Sequence, residues 1–304
     1  MQNTTQNRLI GVSHFFLSIG IFLLSLMVMY SLSKGLVYGI FDYTAEELMA
    51  FSPENLSYKQ GLALKFVQVF TGLSFIAAGL LCALTFKVRF TEFAGLKNPF
   101  TWKNLLLSLG ILVCGMPIVD ALVQVNQQLQ LPESLASFFQ EMEDSSNDTY
   151  AAFLKHNTGV DLLINLLVMA ILAAVGEEIF FRGILMRVVT NWTNNIHLGI
   201  VVSSLLFAII HFQPYKVVPM IFLAMLFGYL YYRTSSLWVP IILHSLNNSL
   251  VVLADFGQKQ NMQWAIADES YSMPLYYVVV GVIGLVGLGY YLWKNTYHTD
   301  FSYD

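Results

Sequence analysis

Charge is what this chain has least of. Only 11% of its 304 residues are charged, against ~25% in an ordinary soluble domain. That scarcity excludes a disordered protein and a soluble α/β enzyme. The 15 Lys and Arg form no basic cluster and are outnumbered by 19 Asp and Glu, for a net charge of −4. Such a balance argues against a nucleic-acid partner. Two cysteines, Cys82 and Cys114, are too few for a disulfide framework or a zinc–thiolate site, and both lie in apolar runs. No internal repeat and no low-complexity tract is visible.

Apolar residues are there instead, at 56%, with 14% aromatics and a mean hydropathy of +0.61. About 20 apolar residues span a bilayer core. Eight apolar runs follow one another: Leu9–Leu32, Gly61–Phe86, Leu105–Leu122, a run from Leu162 past Gly176, Leu198–His211, Val217–Tyr232, Leu237–Leu253 and Leu275–Trp293. The first is too long for a secretory signal core and no small-residue cleavage pattern follows it, so it reads as a retained anchor. Pro117 is expected to kink the third. The fold expected is all-α and polytopic, about eight transmembrane helices in one membrane domain over 1–304. The fifth and sixth runs are short and poorly separated, which leaves the number open by one.

Lys and Arg in the loops set orientation. With the N-terminus inside, the inner segments hold Arg8, Lys87, Arg89, Lys97, Lys103, Arg182, Arg187, Arg233 and Lys294. The outer loops hold Lys34, Lys59, Lys155, Lys216 and Lys259. Nine against five predicts both termini on the cytoplasmic side. Lys65, near the outer end of the second run, is expected to snorkel. Two acidic connectors, Phe41–Tyr58 and Gln124–Val160, fall outside. Within the second, Pro132–Glu143 reads as a short amphipathic helix. A solvated connector is the plainer reading of this segment, and a substrate-guiding lid the sharper one.

Ionisable groups inside membrane helices cost about 2.5–3.5 kcal/mol each on insertion scales, so they carry the functional information. Gly176-Glu177-Glu178-Ile179-Phe180-Phe181-Arg182 lies in the fourth run. Glu178 and Arg182, four apart, can pair on one face. Glu177 lies about 100° round the helix without such a partner. His211 ends the fifth run. His244 and Asn248 share a face of the seventh, with Asn247 beside them. Asp120, Gln124, Asn126 and Asn165 read as structural. From the polar turn Thr190–Ile196, Glu177 and His211 lie at similar depth, about 18–21 Å, whereas His244 lies at about 10 Å and needs tilt or a shifted helix start.

A buried carboxylate beside an imidazole can take a proton from water and make it a nucleophile. A second His and an Asn amide can donate to a tetrahedral oxyanion. Together these hydrolyse an amide bond. The same Glu177, His211 and His244 could instead hold zinc with an open position for water. The helical metalloprotease pattern HExxH is absent, and spacing does not decide between the two. A membrane scaffold using the same polar core for packing is a rival reading, as is a Glu/His proton-coupled transporter, although no paired broken helices support the latter.

At these residues the chain resembles the CPBP (CAAX protease and bacteriocin-processing, or Abi) family of intramembrane proteases. The motifs stand in order as Glu177-Glu178-x-x-x-Arg182, Phe207-x-x-x-His211 and His244-x-x-x-Asn248, and the match covers about Asp161–Leu253, the expected catalytic core. The resemblance implies an eight-helix fold with a cavity between helices. It implies that Glu177 activates water with help from His211, that His244 and Asn248 stabilise the oxyanion, and that Glu178 and Arg182 hold the first motif in shape. It implies a peptide or membrane-protein substrate in the lipid bilayer. Zinc on Glu177, His211 and His244 and a metal-free glutamate mechanism both stay open. The acidic outer loops and the lack of an organelle-targeting signal resemble a bacterial cell-membrane member. Bacterial members are linked to bacteriocin maturation or to self-immunity.

Overall fold

The computed structural model describes residues 2–44, 46–47, 50–128, 132–262 and 273–296, with side chains from residue 11 onward. The small parts of both acidic connectors at 45, 48–49 and 129–131, and the Arg8 side chain, lie outside the described residues. Helix is the regular structure of this chain, and no strand occurs among the described residues. In lipid every backbone N–H and C=O must be satisfied within its own segment, which a helix does.

The main elements are α1 (Gln2–Phe41), α2 (Tyr58–Phe86), α3 (Trp102–Gln127), α4 (Glu133–Leu154), α5 (Gly159–Thr193), α6 (Ile196–Ile209), α7 (Val217–Thr234), α8 (Trp238–Lys259) and α9 (Leu275–Asn295). Seven of them, α1, α2, α3, α5, α7, α8 and α9, are long and apolar enough to cross a membrane. The chain is therefore an all-α polytopic membrane protein. The segment Leu198–His211, expected as an eighth span, forms the 14-residue α6. At ~1.5 Å per residue it rises about 21 Å, short of the ~30 Å hydrocarbon core. It stops because the chain turns at His211–Gln213 into a single 3₁₀ turn, Pro214–Lys216, before α7. Pro117 sits inside α3 without ending it.

Polar side chains set the helix boundaries. Ser57 accepts from the Gln60 amide and Gln60 answers to the Ser57 amide, a reciprocal cap that opens α2. Thr158 and Asp161 do the same for α5. Asn194, at φ 51°, ends α5 in the left-handed region, and Asn195 accepts from the His197 and Leu198 amides to open α6. The α5–α6 hairpin is tight: a Cβ at Gly199 would lie 2.1 Å from Thr190 Oγ1. The α2–α5 crossing is equally close, since a Cβ at Gly176 would sit 2.6 Å from the Gly72 carbonyl oxygen. Small residues allow such approach where lipid removes the hydrophobic drive between helices.

Three features depart from expectation. Lys65 does not snorkel. It is buried, its ammonium 3.1 Å from the Asp161 carboxylate, and the pair ties α2 to the start of α5. The connector helix does not stop at Glu143 but runs to Leu154, because no Gly or Pro interrupts it and Met142, Tyr150 and Phe153 keep supplying an apolar edge. Arg182, counted above with the inner loops, lies in the interior at 1% exposure. Of the polar residues read as structural, Asp120, Gln124 and Asn126 make bonds of that kind. Asn126 donates to the Pro214 carbonyl and accepts from the Val218 amide, fastening α3 to α7. Asp120 accepts from Gln124 and from the Met273 amide, fastening α3 to the start of α9.

The bundle has two distinguishable ends. One gathers the α2–α3 connection, the α5–α6 and α7–α8 turns and the end of α9, where Arg233 donates to the Trp293 and Thr296 carbonyls. The other carries α4, the starts of α2, α5, α7 and α9 and the end of α8.

Candidate active site

Helix α5 supplies the carboxylates. Two π-helical stretches, Leu166–Leu172 and Ile179–Met186, flank the six-residue α-helical piece Ala173–Glu178; such widened turns recur at functional sites. The floor beneath is aromatic and dry, with Phe180 and Phe181 each at 1% exposure and packed on Phe22 and Phe75.

Glu178 is fully buried and is held from two sides. Arg182 stands 2.9 Å from its Oε1 on the same helix, and His244 Nδ1 donates to that oxygen at 2.8 Å from α8. Arg182 also donates to the Ala224 carbonyl on α7 and lies over the Phe207 ring at 4.8 Å. One guanidinium thus joins α5, α6 and α7. The Phe227 ring stacks on His244 at 5.4 Å and Phe207 meets it edge-on at 5.9 Å. The imidazole is fixed in position and in tautomer, with Nδ1–H toward Glu178 and Nε2 toward Glu177. Nε2 lies 3.7 Å from Glu177 Oε2, close but beyond a hydrogen bond. Glu177 is the more open carboxylate, at 14% side-chain exposure against 0% for Glu178.

His211, at the end of α6, donates from Nδ1 to the Phe207 carbonyl at 2.7 Å and packs on the Phe207 ring at 4.6 Å. Its Nε2 is therefore the nitrogen left for other work. Asn248 accepts a long 3.5 Å hydrogen bond from Asn247, which leaves its own amide N–H groups as donors.

The depth mismatch of His244 has a specific cause. Helix α8 starts below the surface: Ser236 and Leu237 are fully buried, the Leu237 amide donates to the Gly95 carbonyl and Trp238 Nε1 donates to the Leu96 carbonyl. Seven residues from this sunken start bring His244 to the level of Glu177.

Glu177, His211, His244 and Asn248 all line one cavity of about 1050 Å³. Its walls come from α2 (Gln68, Thr71, Phe75), α4, α5, α6 with the turn after it, α7 and α8. Helix α4 is part of it: Phe138, Met142, Ser145, Thr149 and Phe153, spaced at helical intervals, face the cavity. Sequence reasoning missed three elements of the site. These are the His244–Glu178 bond, the Phe227 and Phe207 ring contacts on the imidazoles, and the α4 wall. Of these, α4 left a sequence signal in its amphipathic pattern and the Phe207–His211 contact one in its spacing of four.

As a metal site the arrangement is not preformed. Among the described residues no three His, Cys, Asp or Glu side chains stand together closely enough to hold an ion. One nitrogen of His244 and one of His211 are already engaged by Glu178 and Phe207.

An all-helical bundle with a Glu/His/Asn-lined cavity between its spans defines a polytopic membrane protein. Residues 159–250, the segment in which all three motifs lie, match the family described as Type II CAAX prenyl endopeptidase Rce1-like. Over 96 residues the chain is 31% identical to the "Putative membrane peptidase YdiL" of Bacillus subtilis (strain 168). That stretch is 32% of this chain and 39% of the relative, so the chain matches about two fifths of the relative's length. No solved structure matches the chain.

Proposed function

We propose that the protein is an intramembrane endopeptidase of the CAAX-protease type, hydrolysing a peptide bond in or near the bilayer with a water activated by Glu177. One observation carries this reading: a Glu, two His and an Asn from three separate elements border the same cavity at the level of the membrane-spanning helices. Packing alone does not call for so many costly groups around an open space. The segment's family supports the peptidase class.

In this reading Glu177 takes a proton from water and the oxygen attacks the scissile carbonyl carbon. The Asn248 amide, and His244 Nε2–H in its imidazolium form, donate to the resulting oxyanion. The C–N bond then breaks and the proton passes from Glu177 to the leaving amine. His211 Nε2 helps hold the water. Glu178 and Arg182 position His244 and do not touch substrate. The protein would sit in a bacterial cell membrane with both termini cytoplasmic.

The test is turnover of a fluorogenic peptide library by the full chain in liposomes. Glu177→Gln is expected to abolish turnover while its thermal unfolding stays that of the parent. Full activity in that variant would remove Glu177 from the centre, and no activity in the parent protein would favour a membrane scaffold or immunity factor. Loss of turnover with a chelator, restored by zinc alone, would assign the water to a metal on Glu177, His211 and His244 instead.

A further inference from the structure

The cavity is one-ended. On α5 it is lined by Met169, Ala173 and Glu177 and by nothing after Glu177. On α8 it is lined from His244 onward to Val252, and on α2 from Gln68 to Phe75. All of these lie between Glu177 and the α4 end of the bundle. On the far side of Glu177 the helix interior is closed, with Ile184, Leu185 and Met186 at 0% exposure and Tyr231 at 1%. The carboxylate therefore stands on the floor of a cleft whose mouth is at the α4 end.

The two ends differ in cationic residues. With Arg182 removed to the interior, eight Lys and Arg of the nine remain at the closed end, against five at the α4 end. Lys87, Arg89 and Lys97 lie in the single connection between α2 and α3, and Lys103 in the first turn of α3. Short connections rich in Lys and Arg stay cytoplasmic. The α4 end is then the outer face.

We infer that the cleft takes its substrate from the extracytoplasmic side, as a peptide segment presented at the outer surface of the membrane, and that cytosolic chain ends do not reach it. This deepens the peptidase reading and rests on it for the word substrate; the direction of opening stands on geometry and charge alone.

Thiol labelling in intact cells expressing the full chain tests it without any cleavage assay. In a background with Cys82 and Cys114 replaced by Ser, single reporters are placed at Ala173→Cys, inside the cleft, and Lys97→Cys, at the closed end. A small membrane-impermeant thiol reagent is added before lysis and a second label after it. The inference expects Ala173→Cys to lose most of its later labelling and Lys97→Cys to lose almost none. Blocking of Lys97→Cys in intact cells would overturn the orientation. Protection of both reporters in intact cells, with Ala173→Cys reacting only in inverted vesicles, would overturn the outward opening while leaving the orientation intact. Ser146→Cys on α4 is a second reporter if Ala173→Cys does not accumulate; its protection in intact cells would equally overturn the inference. Either result leaves the effect of Glu177→Gln on turnover untouched, so failure of the opening and failure of the peptidase reading are separable.

Discussion

Among the described residues Glu178 has two partners and Glu177 has none at hydrogen-bond distance. That asymmetry assigns adjacent residues different work. A buried ion pair is expensive to break from one side, because the abandoned charge has no water to turn to; about 3–5 kcal/mol is typical. Arg182→Met is therefore expected to lower stability by about that amount, read by thermal unfolding in detergent. Glu178→Gln with Arg182→Met together should be less harmful than the two single losses added, since no lone charge remains. If the double variant equals their sum, the two side chains do not work as a pair. At this scale much was legible. Glu178 and Arg182 show their pairing in their spacing of four, and Glu177 its freedom. The His244 bond to Glu178 was not legible, because 66 residues separate the partners and no helix periodicity reports which face meets which.

Helices α2 and α5 meet through Gly72 and Gly176 and through the Lys65–Asp161 pair. Gly176→Val is expected to disrupt the crossing that carries Glu177, because its side chain must displace the Gly72 carbonyl; the check is loss of folded protein by size-exclusion chromatography. Lys65→Met should destabilise by about 3 kcal/mol or more, and Lys65→Met with Asp161→Leu should recover only part of it, because the Thr158–Asp161 cap goes as well; thermal unfolding of both tests this. Helix α4 is fastened over the cleft more lightly. Lys216 reaches Glu143 at 3.1 Å and Asn147 at 3.3 Å, and Lys216 is 42% exposed. Glu143 is buried but the lysine end of the pair is open to solvent, which keeps its worth to ~1 kcal/mol or less. Lys216→Met should thus raise amide exchange over residues 139–150 by no more than about fivefold, measured by hydrogen–deuterium exchange. Unchanged exchange would mean that α4 is held by its apolar face alone. The existence of α4 was legible from its amphipathic pattern, but its full length and its place in the cavity wall were not. A helix at a membrane surface shows one apolar face whether it packs on protein or on lipid.

The whole chain reads as a membrane bundle from composition alone, and seven of its helices meet that description. The short α6 was legible only as an apolar run, since hydropathy does not show where a chain turns back inside a protein. The sunken start of α8 depends on contacts with Gly95 and Leu96, far away in sequence, and so the level of His244 could not be read in advance. The segment 159–250 carries the family match, while α1, α2 and α3 pack around it, α2 and α3 fastening it through Lys65 and Asn126.

The most direct measurement is a comparison of newly formed peptide termini, by mass spectrometry, in membranes of cells holding equal amounts of the parent protein or of Glu177→Gln. The account predicts a set of cleavage products present with the parent and missing with the variant. Identical termini in both would contradict it.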